Sequence, residues 1–296
     1  MLKKWRHDRY QKSLHARGWY DLSVRLDDPA IFMGGCDRSG TTFFKSVIDR
    51  HPRIACGPET SIWGRPFRIG SLGILWEIPT QELVDRAKSA PNLPQFASDF
   101  YKDYLLAPDD KLRWADKTPN NIYAIPNIFT WYPKAKFIHL IRDGRDVVCS
   151  LRHHRKEHIK NGKITPRHNN NPIILCAQKW LEETSAGLPF RNHPRYLEVI
   201  YEQFLDDPEA ILKEVCDFIE EDYAPQMLDT SIVTKCSQLI GSKLNNPGAD
   251  RPIERGSLNR WKKDLSPEEQ HTFNNIAGHL LIALGYAKDD TWLDQP

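Results

Sequence analysis

The chain has little of what would place it in a membrane, on nucleic acid or in a disulfide scaffold. No apolar run approaches the roughly eighteen residues that span a bilayer. The opening, MLKKWRHDRYQKSLHARGWY, lacks the apolar core of a signal peptide. A net charge of +2 is too small to imply nucleic acid by itself. The six cysteines, at 36, 56, 149, 176, 216 and 236, show no CxxC spacing and read as small buried residues of a reducing compartment. These shortages predict a cytoplasmic protein. The alternative is the Golgi lumen, if a membrane anchor lies outside the given sequence, and there a few disulfides stay open.

What is present is enough for a sizeable core: 296 residues, 40% of them hydrophobic, with 27% charged for solubility. Residues 1–28 form a basic N-terminal segment, read as a helix and a connector. Its Lys3, Lys4, Arg6, Arg9, Lys12 and Arg17 could meet an acidic partner, but a solvated helix face is the plainer reading. Residues 29–296 are expected to form a single domain.

Within it, 30–34 reads as a buried strand and 41–50 as a helix closed by His51-Pro52. Between them lies Gly35-Cys36-Asp37-Arg38-Ser39-Gly40-Thr41-Thr42, which has the glycine spacing of a phosphate-binding loop. A nucleotide triphosphatase would carry lysine where this chain has Thr41. The backbone amides from Arg38 to Thr42 can still cradle a phosphate on the helix N-terminus. A phosphate donor with an unusual transferable group fits better than ATP.

A second strand, 135–141, ends at Arg142, and Ser150 follows about two helical turns on. A guanidinium and a hydroxyl so placed could hold one dianionic phosphate. Elsewhere the periodicity predicts helices over 80–90, 96–106, 145–155, 172–188 and 208–219, and from a Ser266 cap to about Leu284. Short strands are expected at 112–115 and 196–201, a site-shaping loop at 54–79, and a basic loop at 156–171. Strands alternating with helices give an α/β fold, a P-loop-like parallel sheet flanked by helices, with ligands at the strand C-terminal ends.

With these segments in order, the chain resembles the sulfotransferases that use 3′-phosphoadenosine 5′-phosphosulfate (PAPS), and within them the protein-tyrosine sulfotransferase branch. Arg38-Ser39-Gly40-Thr41-Thr42 looks like the family's 5′-phosphosulfate loop, and Arg142 with Ser150 like its 3′-phosphate motif. Tyr201-Glu202-Gln203-Phe204 and Arg255-Gly256, before Trp261, resemble two later pieces. The resemblance implies the sulfotransferase fold, PAPS as donor and PAP as product, no metal, and a hydroxyl acceptor. Peptide tyrosine, carbohydrate and small natural products are all open as acceptors.

It also implies roles. Glu59 matches the base of the tyrosine-modifying branch, with a turn cap or a pairing to Arg65 as the alternative. Lys117 matches a lysine that meets the transferring group; the alternative is a surface salt bridge to Asp116. Pro119 stands where the cytosolic branch has its catalytic histidine, which weighs toward Glu59. Arg38 would touch phosphate and sulfuryl oxygens, Phe43 would stack on adenine or pack inward, and Tyr201 would abut the nucleotide. Arg255 and Gly256 would close over the 3′-phosphate, and Asn259 stands where the branch has a serine.

Two further features carry less. His154-Arg155-Lys156-Glu157-His158 fits the H-x-x-E-H zinc pattern but has no clear third ligand. The run from Arg152 to His168 could draw in an anionic acceptor or be solvated surface. A small-molecule kinase of the P-loop type is the alternative function, against which the missing loop lysine counts. A non-catalytic nucleotide binder of the same fold would not need Glu59 and Lys117 together.

Overall fold

The structure is a computed structural model, and it describes residues 18–63, 67–109, 111–153, 156–160, 163–167, 170–245, 256 and 258–294. Five strands make one parallel sheet in the order β2-β3-β1-β4-β7: β1 Ile31–Gly35, β2 Ile54–Cys56, β3 Arg113–Lys117, β4 Lys136–Ile141 and β7 Tyr196–Ile200. The main helices are α1 Thr41–Asp49, α2 Ile69–Leu75, α3 Thr80–Ser89, α4 Leu93–Tyr101, α5 Ile125–Trp131, α6 Gly144–Arg152, α7 Ile173–Ser185, α8 Tyr201–Asp206, α9 Pro208–Ile219 and α10 Pro267–Ala283.

β1 is central because every residue of Ile31-Phe32-Met33-Gly34-Gly35 is buried, as a strand covered on both faces requires. Its side chains alternate. Ile31 and Met33 join Phe44, Val47 and Leu212 on one face, and Phe32 joins Trp63, Trp114 and Tyr132 on the other. The second face is aromatic, with Tyr101 stacked on Trp114 at 4.2 Å. A third core gathers Val147, Trp180, Trp261 and Phe273, where α6, α7 and α10 meet. From β1 the chain passes to the β2 side, while β4 and β7 lie on the other, so the C-terminal ends of β1 and β4 flank the switch point.

Gly35 shows why the sheet is so close there. A Cβ on it would sit 2.4 Å from the Leu140 carbonyl oxygen, and its φ of 136° suits only glycine.

Several local expectations change. The 54–79 stretch holds β2 and α2, not only a loop. Gly70 and Gly73 hide the helix, yet Gly73 lets α2 press against the Ile78 carbonyl, so packing overrides propensity. The 120–134 stretch carried no expected element but forms a 3₁₀ turn, Pro119–Ala124, and then α5; Pro119 and Pro126 sit in their first turns, where proline is tolerated. The expected 156–171 loop contains an antiparallel hairpin, β5 Lys156–Lys160 with β6 Lys163–Arg167. Its signal in the sequence was Asn161-Gly162, the dipeptide of tight hairpin turns. The helix expected over 145–155 ends earlier, at Arg152.

Residues 1–17 of the basic segment lie outside the described residues. Residues 18–28 are turns and extended chain, and Trp19 is buried against Phe96. α10 opens with a full capping box, Ser266 and Glu269 each bonding the other's backbone.

Candidate active site

The chain leaves β1 through a turn in which Ser39 N donates to the Cys36 carbonyl at 3.2 Å. Arg38 then takes a left-handed φ of 74° and Gly40 one of 82°. Gly40 is the N-cap of α1 and no side chain caps it, so the first-turn amides stay available to an anion. At Gly40 a Cβ would lie 2.2 Å from the Tyr201 ring, which packs against the loop. The Ser39 hydroxyl is buried and has no hydrogen-bond partner among the described residues. An orphaned buried hydroxyl beside free helix amides is what a cradle for a phosphosulfate needs.

Cations from three elements close on this loop. Arg38 Nε donates to Ser150 Oγ of α6 at 3.0 Å. Burial lowers the Arg38 guanidinium below its ordinary pKa, a cost that a bound anion would relieve. Arg142, at the end of β4, donates to the Arg38 carbonyl at 3.2 Å, lies 4.8 Å over the Tyr201 ring, and faces Asp146 at 3.9 Å. The structure thus brings Arg38, Ser39, Gly40, Arg142, Ser150 and Tyr201 together. In this form Ser150 is held by Arg38.

On the other side, Lys117 ends β3 and is 1% exposed. It donates to Thr42 Oγ1 at 3.1 Å and forms an ion pair with Glu59. Both acid–base candidates therefore stand over the first turn of α1. The surface bridge from Lys117 to Asp116 is not what forms. Successive strand residues point to opposite faces, so Asp116 turns away to Tyr101, Thr60 and Thr118. Arg65, the other partner considered for Glu59, lies outside the described residues.

The remaining candidates divide. Phe43 is half-buried with its ring 5.9 Å from Phe204. Asn259 has a left-handed φ of 56° and contributes its amide, which donates to Asp146 Oδ2 at 2.8 Å. Trp261 N donates to the other Asp146 oxygen at 3.1 Å. Gly256 is exposed, and Arg255 lies outside the described residues. Of the zinc-like pattern, His154 and Arg155 are outside them too. Among the described residues no group of three or more His, Cys, Asp or Glu is placed to hold a metal.

Sequence reasoning missed Asp146 and Asp116. Asp146 ties the 259–261 turn to α6 beside Arg142, and burial raises its carboxyl pKa. Glu183 was missed as well; it accepts the Asp37 amide behind the loop at 3.2 Å. An acidic residue in the first turn of α6 was a visible signal for Asp146; the others depend on contacts far apart in the chain.

Comparison with known proteins bears on this geometry. The profile of the sulfotransferase family matches residues 29–225. Protein-tyrosine sulfotransferase A of Caenorhabditis elegans is 26% identical, over 89% of this chain and 70% of that protein. The solved sulfotransferase domain of the Synechococcus olefin synthase superposes with a TM-score of 0.60 at 19% identity, covering 88% of this chain and 96% of the domain. A mouse sulfotransferase complexed with PAP superposes with a TM-score of 0.54 at 14% identity, covering 89% and 88%. At such identities the two structural likenesses speak for the fold.

Proposed function

The chain belongs to the sulfotransferase family and is a PAPS-dependent sulfotransferase that acts on a hydroxyl acceptor, and we propose how its residues divide that work. The α1 amides and the Ser39, Thr41 and Thr42 side chains hold the 5′-phosphosulfate of the donor. Arg142 and Ser150, with Gly256 and Asn259, hold the 3′-phosphate. Phe43 and Tyr201 flank the nucleoside.

Glu59 takes the proton of the acceptor hydroxyl as its oxygen attacks sulfur. Arg38 and Lys117 meet the sulfuryl oxygens, and Lys117 meets the bridging oxygen as its bond to sulfur breaks and the charge passes to PAP. The observation that carries this reading is the contact of Lys117 with both Thr42 and Glu59. It puts a base, a cation and a phosphate cradle within one side chain's reach. No metal is needed, because the neutralising charges come from side chains.

Peptide tyrosine is the acceptor we place first, since the curated relative of C. elegans is named a protein-tyrosine sulfotransferase. Carbohydrate and small natural-product hydroxyls follow. That all six cysteines are buried thiols fits the reading of a reducing, cytoplasmic setting. Labelled PAPS offered with a tyrosyl peptide, an oligosaccharide and a small phenol should label the peptide. Label on none of the three, with PAP bound no better than ATP, would overturn the assignment.

A further inference from the structure

Asp116 is 2% exposed and has no part in the transfer just described, yet it gathers three hydroxyls. Tyr101 Oη and Thr60 Oγ1 donate to its Oδ2 at 2.8 and 2.9 Å, and Thr118 Oγ1 donates to Oδ1 at 3.0 Å. Thr118 Oγ1 is thereby turned to accept the Thr60 amide at 3.2 Å and the Ser61 amide at 3.4 Å. Ser61 has a left-handed φ of 53°, a conformation that persists when its surroundings over-determine it.

The anchors are themselves fixed. The Tyr101 ring is stacked on Trp114, and Asn121 Nδ2 bridges the carbonyls of Asp116 and Met33, each at 3.3 Å. Burial raises the Asp116 carboxyl pKa, and the three hydroxyls work against that rise.

Thr60 follows Glu59 in the chain, and Asp116 precedes Lys117. We infer that Asp116 is a positioning residue for sulfuryl transfer: by tying the 59–61 turn to the end of β3, it sets the spacing between the Glu59 carboxylate and the Lys117 ammonium. The inference rests on the assignment of Glu59 as base. A merely structural carboxylate would affect stability. A positioning one acts on the chemical step through Glu59.

The test is a set of full-length variants with kcat, acceptor KM and PAP Kd measured for each. Asp116→Ala should lose about 100-fold in kcat while PAP Kd stays within about twofold. Asp116→Asn, which keeps the shape and one acceptor, should restore most of the rate. The double variant Glu59→Gln/Asp116→Ala should be no slower than Glu59→Gln alone, because both changes remove one function. Multiplying losses, or an unchanged kcat in Asp116→Ala, would overturn the inference.

Should Asp116→Ala fail to fold, Thr60→Val and Tyr101→Phe each remove one donor. Each should then lower kcat by about threefold to tenfold with PAP Kd unchanged; full kcat in both would count against the inference. Glu59→Gln read alone keeps the two failures apart. Full kcat there removes the base assignment, whereas a slow Glu59→Gln beside a fast Asp116→Ala removes only the positioning role.

Discussion

The two walls of the cradle are built on opposite plans. On the β3 wall, the working charges already satisfy each other: Lys117 is paired with Glu59, over a buried carboxylate and its three hydroxyls. On the β4 wall, the cations also touch neutral groups. Arg38 rests on a serine hydroxyl, and Arg142 on a carbonyl and a tyrosine face, with Asp146 at 3.9 Å. On the proposed assignments the difference would set an order of events: the β4 wall would receive the dianion, and the β3 wall would become reactive when an anion draws Lys117 away from Glu59.

The sharpest way to break that contrast is at Glu59. Glu59→Gln keeps the shape and removes the basicity, so kcat should fall by roughly 10²–10⁴ with donor affinity near wild type. The loss should shrink for acceptors of lower hydroxyl pKa. Lys117→Ala should lose rate whatever the acceptor pKa, because its charge serves the leaving phosphate. Steady-state rates across a series of substituted phenols would separate the two; parallel losses would place both residues in one role.

The opposite wall should answer in binding. Arg142→Ala should weaken the donor product PAP by about 1.5–3 kcal/mol in calorimetry, by loss of a charge-assisted contact. A nucleotide without the 3′-phosphate should bind the variant and the wild type alike. Equal affinity of the wild-type protein for both nucleotides would end the 3′-phosphate assignment.

The strand beneath that wall gives a smaller effect that depends on pH. His139, within β4, is fully buried, its Nδ1 2.5 Å from the Tyr196 hydroxyl, and burial lowers its pKa from 6.5 to about 3. Protonation thus favours the unfolded chain. The stability it contributes is complete above about pH 6.5 and is lost as pH falls toward 3, by at most about 1.4 kcal/mol per pH unit. Chemical denaturation at pH 7 and pH 5 should show His139→Gln losing less on acidification than the wild type. An equal loss would assign acid sensitivity elsewhere.

The smallest effect concerns acceptor capture rather than either wall. Neutralising Lys156, Lys160 and Lys163 of the hairpin should raise acceptor KM by about threefold to tenfold at low salt, with the difference fading as salt screens it. An unchanged KM at low salt would make the hairpin solvated surface.

The parts legible in the sequence were those built from neighbours in the chain. The strand–glycine turn–helix of residues 31–49 and the strand–helix pair carrying Arg142 and Ser150 are local patterns, and α9 was expected at its observed bounds, Pro208–Ile219. Glu59 and Lys117 were named from the family resemblance, and the structure sets them side by side. The contacts that place them were not legible. Asp116 meets Thr60 across 56 positions of chain, and Asp146 meets Asn259 across 113. No periodicity reports such pairings. α2 was obscured by glycines whose reason is a tertiary contact, and the hairpin by charged residues that alternate without looking apolar.

All five strands of the sheet point the same way, so Glu59, Lys117 and the loop before α1 open on one rim. That has a kinetic consequence. On the proposed assignments the base, the cation and the cradle are within one lysine's reach, so the sulfuryl group would pass directly between two bound substrates. Initial-rate plots against one substrate at fixed levels of the other should therefore intersect. Enzyme incubated with labelled donor alone should carry no label through gel filtration, and PAP should have to depart by the route its precursor entered.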